Sequence, residues 1–176
     1  MRLAILEKLG GVYVDVDFMC FRNIEALTSK LYQDIDFVCG ISATQCIEIN
    51  NALLLSKPET TFIKKLCKEI AISFLERKKK IDSANQFIKQ MAAFTGEAPK
   101  EIKFTKEDII ASTGPGLITR VLYENFSEKV LAVPREVFYP LENVRRNEDS
   151  LEETVERLKE EFKEAVGCHL WMGQWI

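Results

Sequence analysis

The sequence predicts an α/β layered domain, on three observations. Strand-like and helix-like apolar patterns alternate along the 176 residues. Glycine and proline turns separate these runs. Apolar residues make up 47% of the chain, enough to bury a core. At about 150 residues per domain, this length predicts a single domain over residues 1–176.

The elements follow in order. Leu3, Ile5, Leu6 and Leu9 give one apolar face of a short helix, which Gly10-Gly11 stops. Val12 to Val16 reads as an inner strand, with Val12, Val14 and Val16 on one face and Tyr13, Asp15 and Asp17 on the other. Phe37 to Ile41 and Cys46 to Leu55 are two more β-rich runs. A helix is expected from Thr60 to Glu76, with Phe62, Leu66, Ile70 and Phe74 as its buried stripe, and a second from Ser83 to Ala93. Gly96 to Lys103 reads as a loop, and Thr105 to Ala111 as a helix. Thr113-Gly114-Pro115-Gly116 is a tight turn needing unusual φ values, before a helix from Leu117 to Tyr123. Val130 to Val133 and Val137 to Tyr139 read as short strands beside prolines. Asp149 to Val166 is a helix, since Leu151, Val155, Leu158 and Phe162 are spaced 4, 3 and 4, and Gly167 is expected to cap it.

Composition excludes several classes. Lys and Arg number 24 against 27 Asp and Glu, a net charge of −3, so no nucleic acid partner is expected. No run approaches the roughly 18 apolar residues of a transmembrane segment. Secretory and lipid-anchor signals are not seen. Cys20, Cys39, Cys46, Cys67 and Cys168 lack any C-x-x-C spacing and read as reduced, buried thiols. These features predict a cytoplasmic protein, and are compatible with a secreted effector or a membrane-peripheral one. Lys78 to Lys80 reads as a solvated helix end, and Asn125-Phe126-Ser127 is a sequon that matters only in a secretory compartment.

Asp15-Val16-Asp17 is the most informative local feature. Two carboxylates at a strand end repel each other, and a hard divalent cation such as Mg²⁺ or Mn²⁺ relieves the repulsion. A cation so held keeps positions open for water or substrate phosphates. The plain alternative is a solvated strand end. The placement counts against it, since ligands bind open α/β sheets at the carboxyl ends of strands.

In this stretch, Arg2-x-x-Ile5-Leu6-x-x-x-Gly10-Gly11-Val12-Tyr13-Val14-Asp15-Val16-Asp17 resembles the DXD region of sugar-nucleotide glycosyltransferases of the fungal initiating α-1,6-mannosyltransferase type. It is similar also to the glucosyltransferase domains of large clostridial toxins. Four later segments resemble landmarks of the family in its order. They are Asn50-Asn51-Ala52-Leu53-Leu54, Thr113-Gly114-Pro115-Gly116, Val137-Phe138-Tyr139-Pro140, and His169-Leu170-Trp171-Met172-Gly173-Gln174-Trp175.

The resemblance implies a GT-A type fold and transfer of a hexose from a nucleotide sugar, UDP- or GDP-linked, to an acceptor hydroxyl on a glycan, lipid or protein, with retention at the anomeric carbon. It implies that Asp15 and Asp17 hold Mn²⁺ or Mg²⁺ against the diphosphate, with Asp17 the more direct ligand. Arg2, Tyr13 and Asn51 match residues around the donor sugar. The Gly114 turn is read first as architecture, and second as a presenter of backbone N–H groups to an anion. His169 matches a C-terminal histidine that completes the metal site in some enzymes of this fold, with a phosphate contact or a structural histidine as the alternatives. Trp171 and Trp175 match aromatics that close over the donor, with core packing as the alternative. The tail departs from the pattern, with Leu170 for a second histidine and Gln174 for serine.

A larger departure lies at the start. The family places nucleotide-recognition strands before the arginine matched by Arg2, so the resemblance implies an N-terminally incomplete fold with an exposed sheet edge. An inactive glycosyltransferase-like binding or interaction module is therefore a second reading. A third, an aspartyl-nucleophile phosphohydrolase, is weak. Met19 stands where such enzymes carry Thr or Val, and no later acidic pair follows an apolar strand.

Overall fold

A computed structural model describes residues 1–43, 47–142 and 151–172, with the side chains of residues 26, 30–32 and 151–154 left out. Cys46, Asp149, Gly173, Gln174 and Trp175 lie outside the described residues. The chain runs α1 (Arg2–Leu9), β1 (Gly11–Val14), β2 (Phe18–Cys20), α2 (Glu25–Tyr32), β3 (Phe37–Ala43), β4 (Ile47–Ser56) and α3 (Thr61–Thr95). It continues with α4 (Lys106–Thr113), α5 (Pro115–Glu124), β5 (Val130–Val133), α6 (Arg135–Phe138), α7 (Leu151–Glu161) and β6 (Gly167–His169). The α/β class expected from the sequence is the one observed.

Four strands form the main sheet in the order β1-β4-β3-β5. The sheet is mixed rather than parallel: β1 and β3 run antiparallel to β4, and β5 runs parallel to β3. β4 sits centrally and is buried on both faces from Ile49 to Ser56, and Ala52 to Leu55 form an apolar run there. Leu54 points to the face covered by α1, α3 and α5, where it meets Leu6, Phe37, Phe62, Ile63, Leu66 and Ile118. Leu53 and Leu55 point to the other face, with Phe18, Val38, Phe138 and Tyr139. β2 and β6 form a separate antiparallel ribbon that pairs Phe18 with His169.

The turn from α1 to β1 depends on glycine. Gly10 and Gly11 have φ of 65° and 94°, in the region glycine enters at least cost. A Cβ on Gly10 would also lie 2.7 Å from Pro58 Cδ. β1 is not the inner strand expected. Among the described residues it pairs only with β4 and is an edge, and Val12, Val14 and Val16 face outward, Val16 fully exposed.

Other expectations are corrected. The two helices of Thr60–Glu76 and Ser83–Ala93 are one, α3, because no glycine or proline interrupts residues 77–82. The Thr60 side chain caps its start, and Gly96, with φ 76°, ends it. Phe74 is 39% exposed rather than buried and stacks on Phe104 at 4.9 Å. Val137–Tyr139 is not a strand: Pro134 opens the single helical turn α6 there. The C-terminal helix ends at Glu161, and Gly167 does not cap it. Gly167 instead starts β6, where a Cβ would lie 2.5 Å from Met19 O. Gly114 joins α4 to α5 with an ordinary φ of −87°. Glycine is needed there for space, since a Cβ would strike the Ile110 carbonyl.

Candidate functional site

The site forms where β1 ends. β1 and β5 both run parallel to β3, so the chain leaving β1 and the chain leaving β5 emerge on the same side of the sheet. The first carries Asp15 and Asp17. The second carries α6, Tyr139 and Leu141. Asp15 stays tied to the sheet through its N–H, which donates to Ala52 O at 2.7 Å. Its carbonyl accepts from Phe18 N at 3.0 Å and closes the turn into β2. That turn places Asp17 beside β6, and Leu170 N donates to Asp17 O at 2.9 Å.

The two carboxylates have different surroundings. Asp15 Oδ1 accepts the Tyr13 hydroxyl at 2.5 Å and lies 3.1 Å from Arg2 Nη1. Arg2 also donates to Asn51 O at 2.8 Å and lies over the Tyr13 ring, 4.7 Å from its centroid. Asp17 Oδ1 is 3.1 Å from His169 Nε2, and Asp17 Oδ2 accepts the Met172 N–H at 3.1 Å. The N-terminal helix thus holds one carboxylate and the C-terminal strand the other.

Burial tunes the neighbours. It pushes the Tyr13 hydroxyl up to about 12, helped by the bond to Asp15, so at neutral pH Tyr13 is a proton donor to that carboxylate. Burial pulls His169 below the usual imidazole range, against the opposing pull of Asp17. His169 is therefore neutral at pH 7, the form that ligates metals. Its Nδ1 is buried without a hydrogen-bond partner among the described residues. Aromatic rings fix the imidazole: Trp171 at 4.3 Å and Tyr139 edge-on at 6.2 Å. Trp171 adopts a left-handed φ of 54°, and its indole N–H donates to Leu141 O at 2.9 Å.

Asp15, Asp17 and His169 offer one ligand atom each, all within 4.8 Å of one another. Two carboxylate oxygens and one imidazole nitrogen this close together form a set that fits a divalent cation.

Of the residues singled out from sequence, the fold brings Arg2, Tyr13, Asp15, Asp17, His169 and Trp171 together. Asn51 joins through its carbonyl. Gly114 sits at the α4–α5 junction, where its N–H and carbonyl both serve helix ends. Trp175 lies outside the described residues. Sequence reasoning missed Tyr139, whose hydroxyl accepts the Leu53 N–H at 2.9 Å, and the Met172 N–H. The Phe138-Tyr139-Pro140 segment marked the first; nothing local marks a backbone N–H.

The family model for the glycosyltransferase sugar-binding region containing DXD motif matches residues 1–33. The match covers α1, β1, both acids and β2, and stops short of His169. No curated protein and no solved structure matches the chain.

Proposed function

We propose that this chain is a metal-dependent glycosyltransferase domain that transfers a hexose from a UDP- or GDP-linked donor to an acceptor hydroxyl, with retention. The observation that carries the reading is the convergence of Asp15, Asp17 and His169 at a strand end within the stretch matched by the sugar-binding family. In this reading the core is of GT-A type, and residues 1–176 act as one domain. The compartment proposed is the cytoplasm, in keeping with Cys20, Cys39, Cys67 and Cys168 as free thiols. Among the described residues, no helix is long and apolar enough to cross a membrane.

Asp15, Asp17 and His169 would hold the cation, which supplies positive charge against the departing diphosphate. Arg2 orients Asp15 and, beside Tyr13 and the Asn51 carbonyl, lines the place of the donor sugar. Trp171 props His169 from behind and shields it from water. In the transfer, the acceptor oxygen bonds to the anomeric carbon and the bond from that carbon to the diphosphate oxygen breaks. Its electron pair leaves with the nucleoside diphosphate, which also takes the acceptor proton.

A non-catalytic binding module is the second reading, and the exposed edge and outward valines of β1 favour it. One experiment separates the two. Nucleotide-sugar hydrolysis is followed with and without Mn²⁺, for the wild type, Asp15→Asn and Asp17→Asn, alongside thermal unfolding. The transferase reading expects Mn²⁺-dependent release of one nucleoside diphosphate, reduced about a hundredfold or more in both variants. It also expects Mn²⁺ to raise the wild-type melting temperature and not that of Asp17→Asn. The cation shift without turnover on any donor would favour the binding module. Neither shift nor turnover would remove the cation site.

A further inference from the structure

We propose that Arg2 is a built-in counter-ion of the acid pair, and that its charge makes cation binding depend on the diphosphate that arrives with the donor. The proposal rests on the transferase reading, which assigns Asp15 and Asp17 to a cation. It goes further by naming the residue that decides when the cation binds.

Arg2 Nη1 lies 3.1 Å from Asp15 Oδ1 and 3.4 Å from Asp15 Oδ2. A cation that takes either oxygen therefore meets the guanidinium charge close by. That charge is held in place. Leu3 and Leu6 anchor α1 in the core, and Arg2 stands in its first turn. Arg2 Nη1 also donates to Asn51 O at 2.8 Å, and the guanidinium lies over the Tyr13 ring, 4.7 Å from its centroid. Both partners remain when Asp15 turns to a metal, so the guanidinium has no reason to leave. The group is also partly sheltered from water. The side chains of Arg2, Asp15 and Asp17 are 22%, 19% and 17% exposed, so solvent screens them less than a surface pair.

The charge count follows. Two acids alone would offer −2 and cancel a divalent cation. Arg2, Asp15 and Asp17 together offer −1, and Asp17 pairs with an imidazole that adds no charge when neutral. A divalent cation entering alone leaves an uncompensated positive charge in a half-buried site, which is costly. A nucleoside diphosphate brings the negative charge that Arg2 has cancelled. The cation and the diphosphate should therefore bind cooperatively, each tightening the other by the same factor.

The test is Mn²⁺ binding by the full chain, read from the electron paramagnetic resonance signal of the free ion. UDP and GDP are the diphosphate probes, and their binding is measured by dialysis with and without Mn²⁺. The wild type is compared with Arg2→Gln, Arg2→Lys and Asp17→Asn, each checked for an unchanged circular dichroism spectrum. The wild type is expected to take Mn²⁺ weakly alone and about tenfold or more tightly with UDP or GDP. Arg2→Gln should bind Mn²⁺ alone about tenfold or more tightly than the wild type, since a unit charge a few ångströms from a divalent ion costs that much even in water. The nucleotide should then add less. Arg2→Lys keeps the charge and should bind Mn²⁺ as the wild type does. Asp17→Asn should lose Mn²⁺ and so place the signal at this site. An Arg2 that merely supported Asp15 would give the opposite sign, because its loss would loosen the carboxylate and weaken Mn²⁺. Binding by Arg2→Gln no tighter than wild type overturns the proposal, as does equal tightening in Arg2→Lys. If Arg2→Gln fails to fold, the wild type decides: Mn²⁺ bound equally well without UDP and GDP also overturns it. These failures leave the transferase reading standing. Mn²⁺ bound by no form, with or without nucleotide, removes the cation site and overturns both.

Discussion

Tyr139 joins the sheet to the candidate site. Its ring lies edge-on to Phe18 at 6.0 Å and to His169 at 6.2 Å, and burial pushes its hydroxyl far above the usual tyrosine range. The hydroxyl accepts the N–H of Leu53, a residue with no exposed surface in the central strand. Tyr139→Phe keeps the ring and orphans that N–H. A buried donor without a partner costs about 1–3 kcal/mol, so the denaturant midpoint should fall with its slope unchanged. The rings around His169 stay in place, so cation binding should persist. A midpoint within error of the wild type would mean that water replaces the hydroxyl and that Tyr139 holds His169 by packing alone.

At the scale of elements, the join between α3 and α4 rests on a small polar cluster. Thr105 caps α4 through the Asp108 N–H, and the Asp108 carboxylate returns to the Thr105 N–H at 2.8 Å. Arg77 of α3 donates from Nε to the same carboxylate at 2.6 Å. Thr105→Ala should cost roughly 1 kcal/mol and speed amide exchange in the first turn of α4. Equal acceleration in β4 would show that the cap acts on the whole fold rather than locally. The capping pattern of Thr105 and Asp108 is written in four adjacent residues, a local signal at the start of the helix read there from sequence. α5 and β4 were legible in part: the helix is read from Leu117, two residues after Pro115 opens it, and β4 carries the apolar run Ala52 to Leu55. The errors came where a short apolar run had no period of its own. Val137 to Tyr139 reads as a strand in the sequence, and the start at Pro134 makes it a helical turn instead. β2 and β6 are three residues each, too short to show alternation, and exist because they pair with one another.

That ribbon explains what the whole molecule hides from a sequence reader. Asp15 and Asp17 are visible as a local pattern, but His169 reaches Asp17 across 152 residues by way of the β2–β6 pairing. The acids are legible as a local pattern and His169 only through the resemblance of the tail, because its place beside Asp17 depends on long-range register. The same burial that closes this wall sets the behaviour of the thiols. It pushes Cys39 and Cys67 up to about 12 and Cys168 up to about 11, with Glu7 adding to the rise at Cys67. At pH 8 a thiol titrating near 12 is ionised in about one molecule in ten thousand, and buried sulfur is shielded as well. A short iodoacetamide pulse on the folded chain should therefore modify exposed Cys20 and spare Cys39, Cys67 and Cys168, as read by peptide mass mapping. The sign of the pH effect on stability follows. The ordinary thiol value is 9.0, so the unfolded chain releases these protons before the folded one does. The contribution is whole below pH 9 and is lost as pH rises from 9 toward 12. Unfolding midpoints should drop over that window, and Cys39→Ala should flatten the drop while lowering stability at pH 7 through the cavity it leaves. Fast labelling of Cys39 at pH 8 in the folded chain would mean that the sheet opens at this position and that the core is looser than its packing indicates.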